Sequence, residues 1–145
     1  MPRPIGINHV ALEVGDLDAA LEWYARFLDF ELQERIPGMA FIDLGDQFLA
    51  IEERPGERPP DGHRHFGLVV DDKEALRAAL AEAGVEMPPG RRLRFRDPWG
   101  NQFEVVGYPD VQFTKTPSVL RALHAESLEK TEAAKAEIRE RGLDG

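Results

Sequence analysis

The chain has 145 residues, 42% of them hydrophobic and none of them cysteine. That is material for one globular domain with its own core, in which any metal must be held by imidazole and carboxylate. A formal net charge of −9 argues against sequence-independent binding to nucleic acid or anionic lipid, because both need a positive surface. No apolar run approaches the ~20 residues of a membrane span, and the start Met1-Pro2-Arg3-Pro4 lacks the apolar core of a signal peptide, so a cytoplasmic protein is expected.

Residues 7 to 14 alternate, with Val10, Leu12 and Val14 on one face and His9, Ala11 and Glu13 on the other, the pattern of a half-buried strand. Asp16 is placed to cap a helix over about 17 to 28, where Leu17, Ala20, Leu21, Tyr24, Phe27 and Leu28 recur at helical spacing. Strands are expected near 31 to 36, 39 to 44 and 47 to 53, divided by the breakers Pro37-Gly38 and Gly45-Asp46. The first module, 5 to 53, is therefore βαβββ.

Residues 54 to 63 hold Pro55, Gly56, Pro59, Pro60 and Gly62 and read as a linker. The second module, 64 to 108, repeats the order: strand 65 to 70, a cap at Asp71 or Asp72, a helix to about 83 with Gly84 past its end, then strands near 85 to 88, 91 to 96 and 101 to 107. Asp97-Pro98-Trp99-Gly100-Asn101 turns the chain between the last two. A single domain is expected over 1 to 110. In the extension, 111 to 145, Thr116-Pro117 opens one long helix that stops at Gly142. Its apolar stripe is thin (Leu120, Leu123, Leu128, Ile138), which suits a helix draped over the core or over a partner subunit.

The two modules open alike, His9-Val10-Ala11-Leu12-Glu13-Val14 and His65-Phe66-Gly67-Leu68-Val69-Val70, with the histidines 56 positions apart, and each reaches an apolar-Glu pair, Ile51-Glu52 and Phe103-Glu104. Period-two alternation puts His9, Glu52, His65 and Glu104 all on the helix-free face, and places Phe48 and Ala50 there while Glu53 turns away. A repeat that supplies one His and one Glu from each half builds a metal site at a pseudo-two-fold axis. Arg92, Arg94 and Arg96 alternate with Leu93 and Phe95. If those two apolar residues pack on the helix, three guanidiniums face the same side and suit a carboxylate or phosphate. His63 and His124 read as solvated surface residues.

These stretches, with Gly15-Asp16-Leu17, Trp23-Tyr24, Phe27-Leu28 and the run Asp97-Pro98-Trp99-Gly100-Asn101-Gln102-Phe103-Glu104, resemble the vicinal oxygen chelate superfamily of glyoxalase I, methylmalonyl-CoA epimerase, extradiol dioxygenases and fosfomycin and bleomycin resistance proteins. The resemblance covers residues 5 to 108 and implies an α+β fold whose paired βαβββ modules form an open, barrel-like cup. It implies one divalent metal (Ni, Zn, Co, Mn or Fe) held by His9, Glu52, His65 and Glu104, the set of glyoxalase I-like members. Dioxygenase members use two His and one Glu; bleomycin-binding members have none.

The expected activity is that of a glyoxalase I-like lyase or isomerase. A small substrate with adjacent oxygens chelates the metal, which stabilises an enediolate, while Glu104 or Glu52 moves the proton. Arg92, Arg94, Arg96, Phe48 and Trp99 are the candidate substrate contacts, with an anionic substrate expected if the arginines face the cup. The alternatives are an extradiol-type iron dioxygenase using His9, His65 and Glu104, and a non-catalytic protein that binds an antibiotic or another small molecule.

The thin stripe of the C-terminal segment and the edges of two small sheets call for cover, so a homodimer is expected. Light scattering at micromolar concentration should return twice the chain mass of 16.3 kDa; the monomer mass would rule the dimer out.

Overall fold

Alternation and helix capping account for most of the elements seen. In the computed structural model, which describes all 145 residues, β1 (His9–Val14) buries Leu12 and Val14 and leaves His9, Ala11 and Glu13 exposed. Asp16 accepts the Ala19 amide at 2.7 Å and caps α1 (Leu17–Ala25). This helix stops three residues short of its apolar period because the Phe27 and Leu28 amides both close onto the Tyr24 carbonyl. Then come β2 (Leu32–Ile36), β3 (Met39–Asp43) and β4 (Phe48–Glu53).

The chain divides into two compact units, Met1–Pro59 and Pro60–Gly145. In the first, one sheet runs β1-β4-β3-β2, with β1 parallel to β4 and the other pairs antiparallel. Leu17, Ala20 and Tyr24 of α1 are buried with Leu12, Val14, Ile42, Leu49 and Ile51 of this sheet, and α1 packs against β4. The edge strand β2 is exposed along its whole length and carries Glu34 and Arg35, charges that discourage pairing with another edge.

In the second unit β5 (Phe66–Val70) is parallel to β7 (Gln102–Gly107), and β7 is antiparallel to β6 (Leu93–Arg96). Asp72 caps α2 (Lys73–Glu82) by accepting the Ala75 amide at 2.9 Å. Leu76 and Leu80 are buried with Leu68, Leu93, Phe95, Phe103 and Val105, and the Phe95 and Phe103 rings stack at 4.7 Å. This sheet has three strands, a correction to the four expected. Gly84 (φ +73°) ends α2, and the Val85 amide returns to the Leu80 carbonyl, a left-handed helix stop. Pro88 and Pro89 follow, and with no amide to donate they cannot build a ladder.

The tail also departs from expectation. The single long helix is two short ones, α3 (Pro117–Ala122) and α4 (Glu132–Glu140). The break is a second left-handed stop: His124 has φ +55°, and the Ala125 amide bonds the Leu120 carbonyl. Thr131 then caps α4 through its hydroxyl. Helix α4 buries Ala134 and Ile138 and packs on the 3-10 turn Tyr108–Asp110 that ends β7, so the tail adds core to its own unit. Lys130 fastens it: Nζ donates to the carbonyls of Tyr108 (2.7 Å) and Val111 (3.0 Å) and lies 3.6 Å from the Tyr108 ring centroid. Burial holds this amine's pKa below the usual lysine value, an effect that Asp110 partly offsets. No helix is long and apolar enough to cross a membrane.

Removing the Lys130 head group while keeping an apolar stem takes away two charge-assisted hydrogen bonds and a cation–π contact. Lys130→Met should lower unfolding free energy by about 1–3 kcal/mol, read as a lower denaturant midpoint at unchanged slope.

Candidate functional site

A residue just before a strand whose even positions pack on a helix must project from the opposite face. His65 does so at the mouth of β5, and Glu104 does so from β7, where it pairs with Gly67 of β5 on one side and Arg94 of β6 on the other. The two side chains meet: His65 Nε2 lies 3.3 Å from Glu104 Oε2. His65 Nδ1 lies 2.8 Å from the His63 carbonyl oxygen. A carbonyl only accepts, so Nδ1 carries a hydrogen, and Nε2 is the ring nitrogen turned to a carboxylate oxygen. The contact is satisfied by a cation between the two atoms, either a proton on Nε2 or a metal ion.

The scaffold behind His65 is built by residues that alternation alone does not single out. Gln102 is buried; its side-chain amide donates to the carbonyls of Gly62 (2.9 Å) and Arg64 (3.0 Å), and its backbone amide donates to the Asp61 carboxylate. Arg96 donates to the carbonyls of Asp61 and Gly62. Together they pin residues 61 to 64 and so fix the His63 oxygen under the imidazole. The neighbouring turn is organised by buried Asp97, which accepts from the Trp99 and Asn101 amides and from the Asn101 side chain. Gly100 has φ +85°, and a Cβ there would lie 2.5 Å from the Pro60 backbone, so glycine is required. Asn8 serves His9 as His63 serves His65: its side-chain oxygen is 2.8 Å from His9 Nδ1. The adjacent Asn8-His9 and the spaced His63-Arg64-His65 were the available sequence signals for these supports.

The arginine stripe comes out differently from its expected role. Arg94 donates through Nε (3.1 Å) and Nη2 (2.9 Å) to Glu104 Oε2, and Arg92 Nε is 3.9 Å from Oε1. Glu104 thus supplies the counter-charge that the sequence reading assigned to a bound anion, and Arg96 is engaged by backbone carbonyls. The reason is pairing: β6 and β7 put position 94 directly opposite 104, a neighbour that alternation within one strand does not reveal. Trp99 sits in the turn at the His65 end of the sheet.

The first unit carries a different surface. His9 pairs with Phe48 across β1 and β4, and their rings stack at 4.7 Å; Phe48 meets Phe41 edge-on at 5.3 Å. Glu52 is opposite Glu13, four register positions from His9. At about 3.3 Å per residue this is roughly 13 Å along the strands, further than an imidazole and a carboxylate on one sheet bridge through ligand bonds of about 2 Å. The structure does not bring Glu52 to His9. Its neighbours are charged instead: Arg54 lies 3.6 Å from Glu52, and Arg58 pairs with Glu13. Register also shows what replaces it. Glu104 pairs two residues beyond His65, with Gly67; two residues beyond His9, Ala11 pairs with Ala50. The repeat partner of Glu104 is therefore buried Ala50.

Within neither unit do three or more His, Cys, Asp or Glu side chains gather, so His65 and Glu104 stand as a two-donor arrangement. The donor chemistry fits a divalent ion: a neutral imidazole nitrogen with its tautomer fixed by a carbonyl, and a carboxylate.

The Glyoxalase/Bleomycin resistance protein/Dioxygenase superfamily pattern matches residues 6–105. The metallothiol transferase FosB of Shouchella clausii is 29% identical over 117 residues, spanning 69% of this chain and 78% of its own. Among solved structures, the lactoylglutathione lyase of Agrobacterium tumefaciens superposes with a TM-score of 0.58 at 24% identity, covering 73% of this chain and 96% of the other. A mutant of the fosfomycin resistance protein FosX of Listeria monocytogenes, complexed with Mn(II) and 1S,2S-dihydroxypropylphosphonic acid, gives 0.60 at 18% identity, covering 72% and 93%.

Glu53 projects to the helix side, where its Oε2 accepts the Leu17 amide at 2.8 Å, the first donor of α1. Glu53→Ala should therefore destabilise the fold by about 0.5–2 kcal/mol through loss of this capping contact, measured by chemical denaturation.

Proposed function

The chain belongs to the glyoxalase/bleomycin resistance protein/dioxygenase superfamily, and on that basis we propose that it is a divalent-metal-dependent enzyme acting on a small anionic substrate with adjacent oxygens. Its candidate ligands are His65 and Glu104 in the second unit and, taken by itself in the first, His9; its chemistry is that of a lyase, isomerase or thiol transferase. The observation that carries the proposal is the convergence of His65 Nε2 and Glu104 Oε2, 3.3 Å apart, with His65 Nδ1 already engaged by a carbonyl. His9, with Nδ1 taken by Asn8, likewise keeps Nε2 for a ligand bond. The similarity to a metallothiol transferase supports metal dependence and a thiol co-substrate over glyoxalase I chemistry alone.

A divalent ion so held supplies Lewis acidity to substrate oxygens. The chain's own residues supply the rest. The His63 carbonyl keeps the His65 imidazole in one tautomer and orientation. Glu104 Oε1, which is not used by the Arg94 fork, is the atom we assign to proton transfer. Arg92, 72% exposed, is available to an anionic group, and Phe48 with Phe41 offers an apolar surface in the first unit.

A second reading has its own support. With Ala50 where the repeat calls for a carboxylate, two His and one Glu remain, the donor count of the extradiol dioxygenases. Oxygen uptake by the ferrous protein with a catechol would favour that reading, and its absence the first.

Calorimetry of the full chain with Mn, Ni, Zn, Co and ferrous ions should show one ion bound per chain. His9→Ala, His65→Ala and Glu104→Gln should each weaken binding by orders of magnitude, as loss of a ligand does, while Glu52→Gln should leave it within about twofold. Wild-type protein that binds none of these ions would overturn the proposal, and loss of binding in Glu52→Gln would restore the four-ligand set.

A further inference from the structure

We propose that Arg94 is a displaceable counter-ion of Glu104 which competes with the metal and so sets how tightly the protein takes it up; the inference rests on the ligand roles assigned above to His65 and Glu104. Three observations carry it. The first is which oxygen Arg94 holds. Both of its N–H groups, Nε at 3.1 Å and Nη2 at 2.9 Å, donate to Oε2, the oxygen that also faces His65 Nε2. A partner that merely orients a ligating carboxylate would engage the oxygen turned away from the other ligand. Arg94 takes the lone pairs that a cation between Glu104 and His65 would need.

The second is charge. A cation placed between Oε2 and Nε2 would lie within a few ångströms of a guanidinium that stays protonated at any working pH. The side chains of Arg94 and Glu104 are 33% and 18% exposed, so water screens that repulsion less than it would for a surface pair. The third is the opposite flank. Glu104 pairs there with Gly67, which has no side chain, and a Cβ at that position would meet nothing within 4 Å. Within the sheet, no side chain of the paired β5 residue competes for Oε2, and the guanidinium that holds it comes from β6. When no metal is bound, Arg94 gives a carboxylate that is mostly removed from water its two short hydrogen bonds, with Arg92 at 3.9 Å from the other oxygen. When metal binds, the fork must let go of Oε2.

The test is Mn²⁺ binding to the full-length chain by calorimetry, together with the melting temperature of metal-free and Mn²⁺-loaded protein. It compares wild type with Arg94→Gln, Arg94→Lys and Arg77→Gln, the last removing one positive charge from an exposed helical pair with Glu74. Arg94→Gln should bind Mn²⁺ at least about tenfold more tightly, the scale on which such partners of a ligand act. It should also melt lower without metal and gain more from Mn²⁺ than wild type does. Arg94→Lys keeps the charge but loses the fork and should fall between the two, which preserves the test if the glutamine variant folds poorly. Arg77→Gln should stay within twofold of wild type.

Equal or weaker binding in both Arg94 variants, with wild type binding normally, would overturn this proposal alone and make Arg94 an orienting residue. A matching gain in Arg77→Gln would overturn it as well, by tracing the effect to net charge. No Mn²⁺ uptake by wild type or either Arg94 variant would overturn the metal site and this inference with it.

Discussion

The parallel pairing of β5 with β7 governs where the polar groups of the second unit fall. Gly67 opposite Glu104 sets the carboxylate two residues beyond His65 on the same face, a separation an imidazole and a glutamate can close. The antiparallel pairing of β7 with β6 then puts Arg94 on the other side of that carboxylate. Slipping either pairing by one residue would send Glu104 to the helix side, among Leu76, Leu80 and Phe103, with no charged partner. The same arrangement in the first unit, Ala11 opposite Ala50 and Ala50 opposite Phe41, gives an apolar surface. One backbone plan, used twice, thus yields a charged face and an aromatic one.

That difference explains what could be read from the amino-acid order. The elements of the first module, the caps at Asp16 and Asp72 and the inward and outward faces of β1, β4 and β7 follow from local periodicity and local hydrogen bonding. His65 and Glu104 were legible for that reason, and so was the choice of Glu52 over Glu53 for the helix-free face. Glu52 as a partner of His9 was a different kind of inference. Alternation gives Glu52 its face and the family resemblance suggests its role, whereas spacing from the histidine through strand pairing is what places a donor. Pairing is a long-range property, and alternation within one strand carries no information about it.

The arginines and the tail make the same point from other directions. Arg94 and Arg96 do leave the core side of β6, as their spacing with Leu93 and Phe95 requires, but their partners are a cross-strand glutamate and two loop carbonyls 34 and 35 residues away in sequence. In the tail, helical composition ran on past His124, and one residue in the left-handed region ended the helix. A non-glycine residue there carries no sequence signal as strong as Gly84 does. The missing fourth strand of the second sheet was better marked, since Pro88 ends the stretch assigned to it and Pro89 follows directly.

The fastening of the tail by Lys130 has a consequence for how the second unit opens. Strand β7 runs without a break into the turn Tyr108–Asp110, and that turn's carbonyls are held by Lys130 and by the Thr131 amide. The end of β7, three residues from Glu104, is therefore closed by a segment that lies outside the matched region. Fraying of this strand requires the tail to detach first, so strand end and tail should behave as one cooperative unit in amide exchange, with the protection of the Val106 and Gly107 amides rising and falling with that of α4.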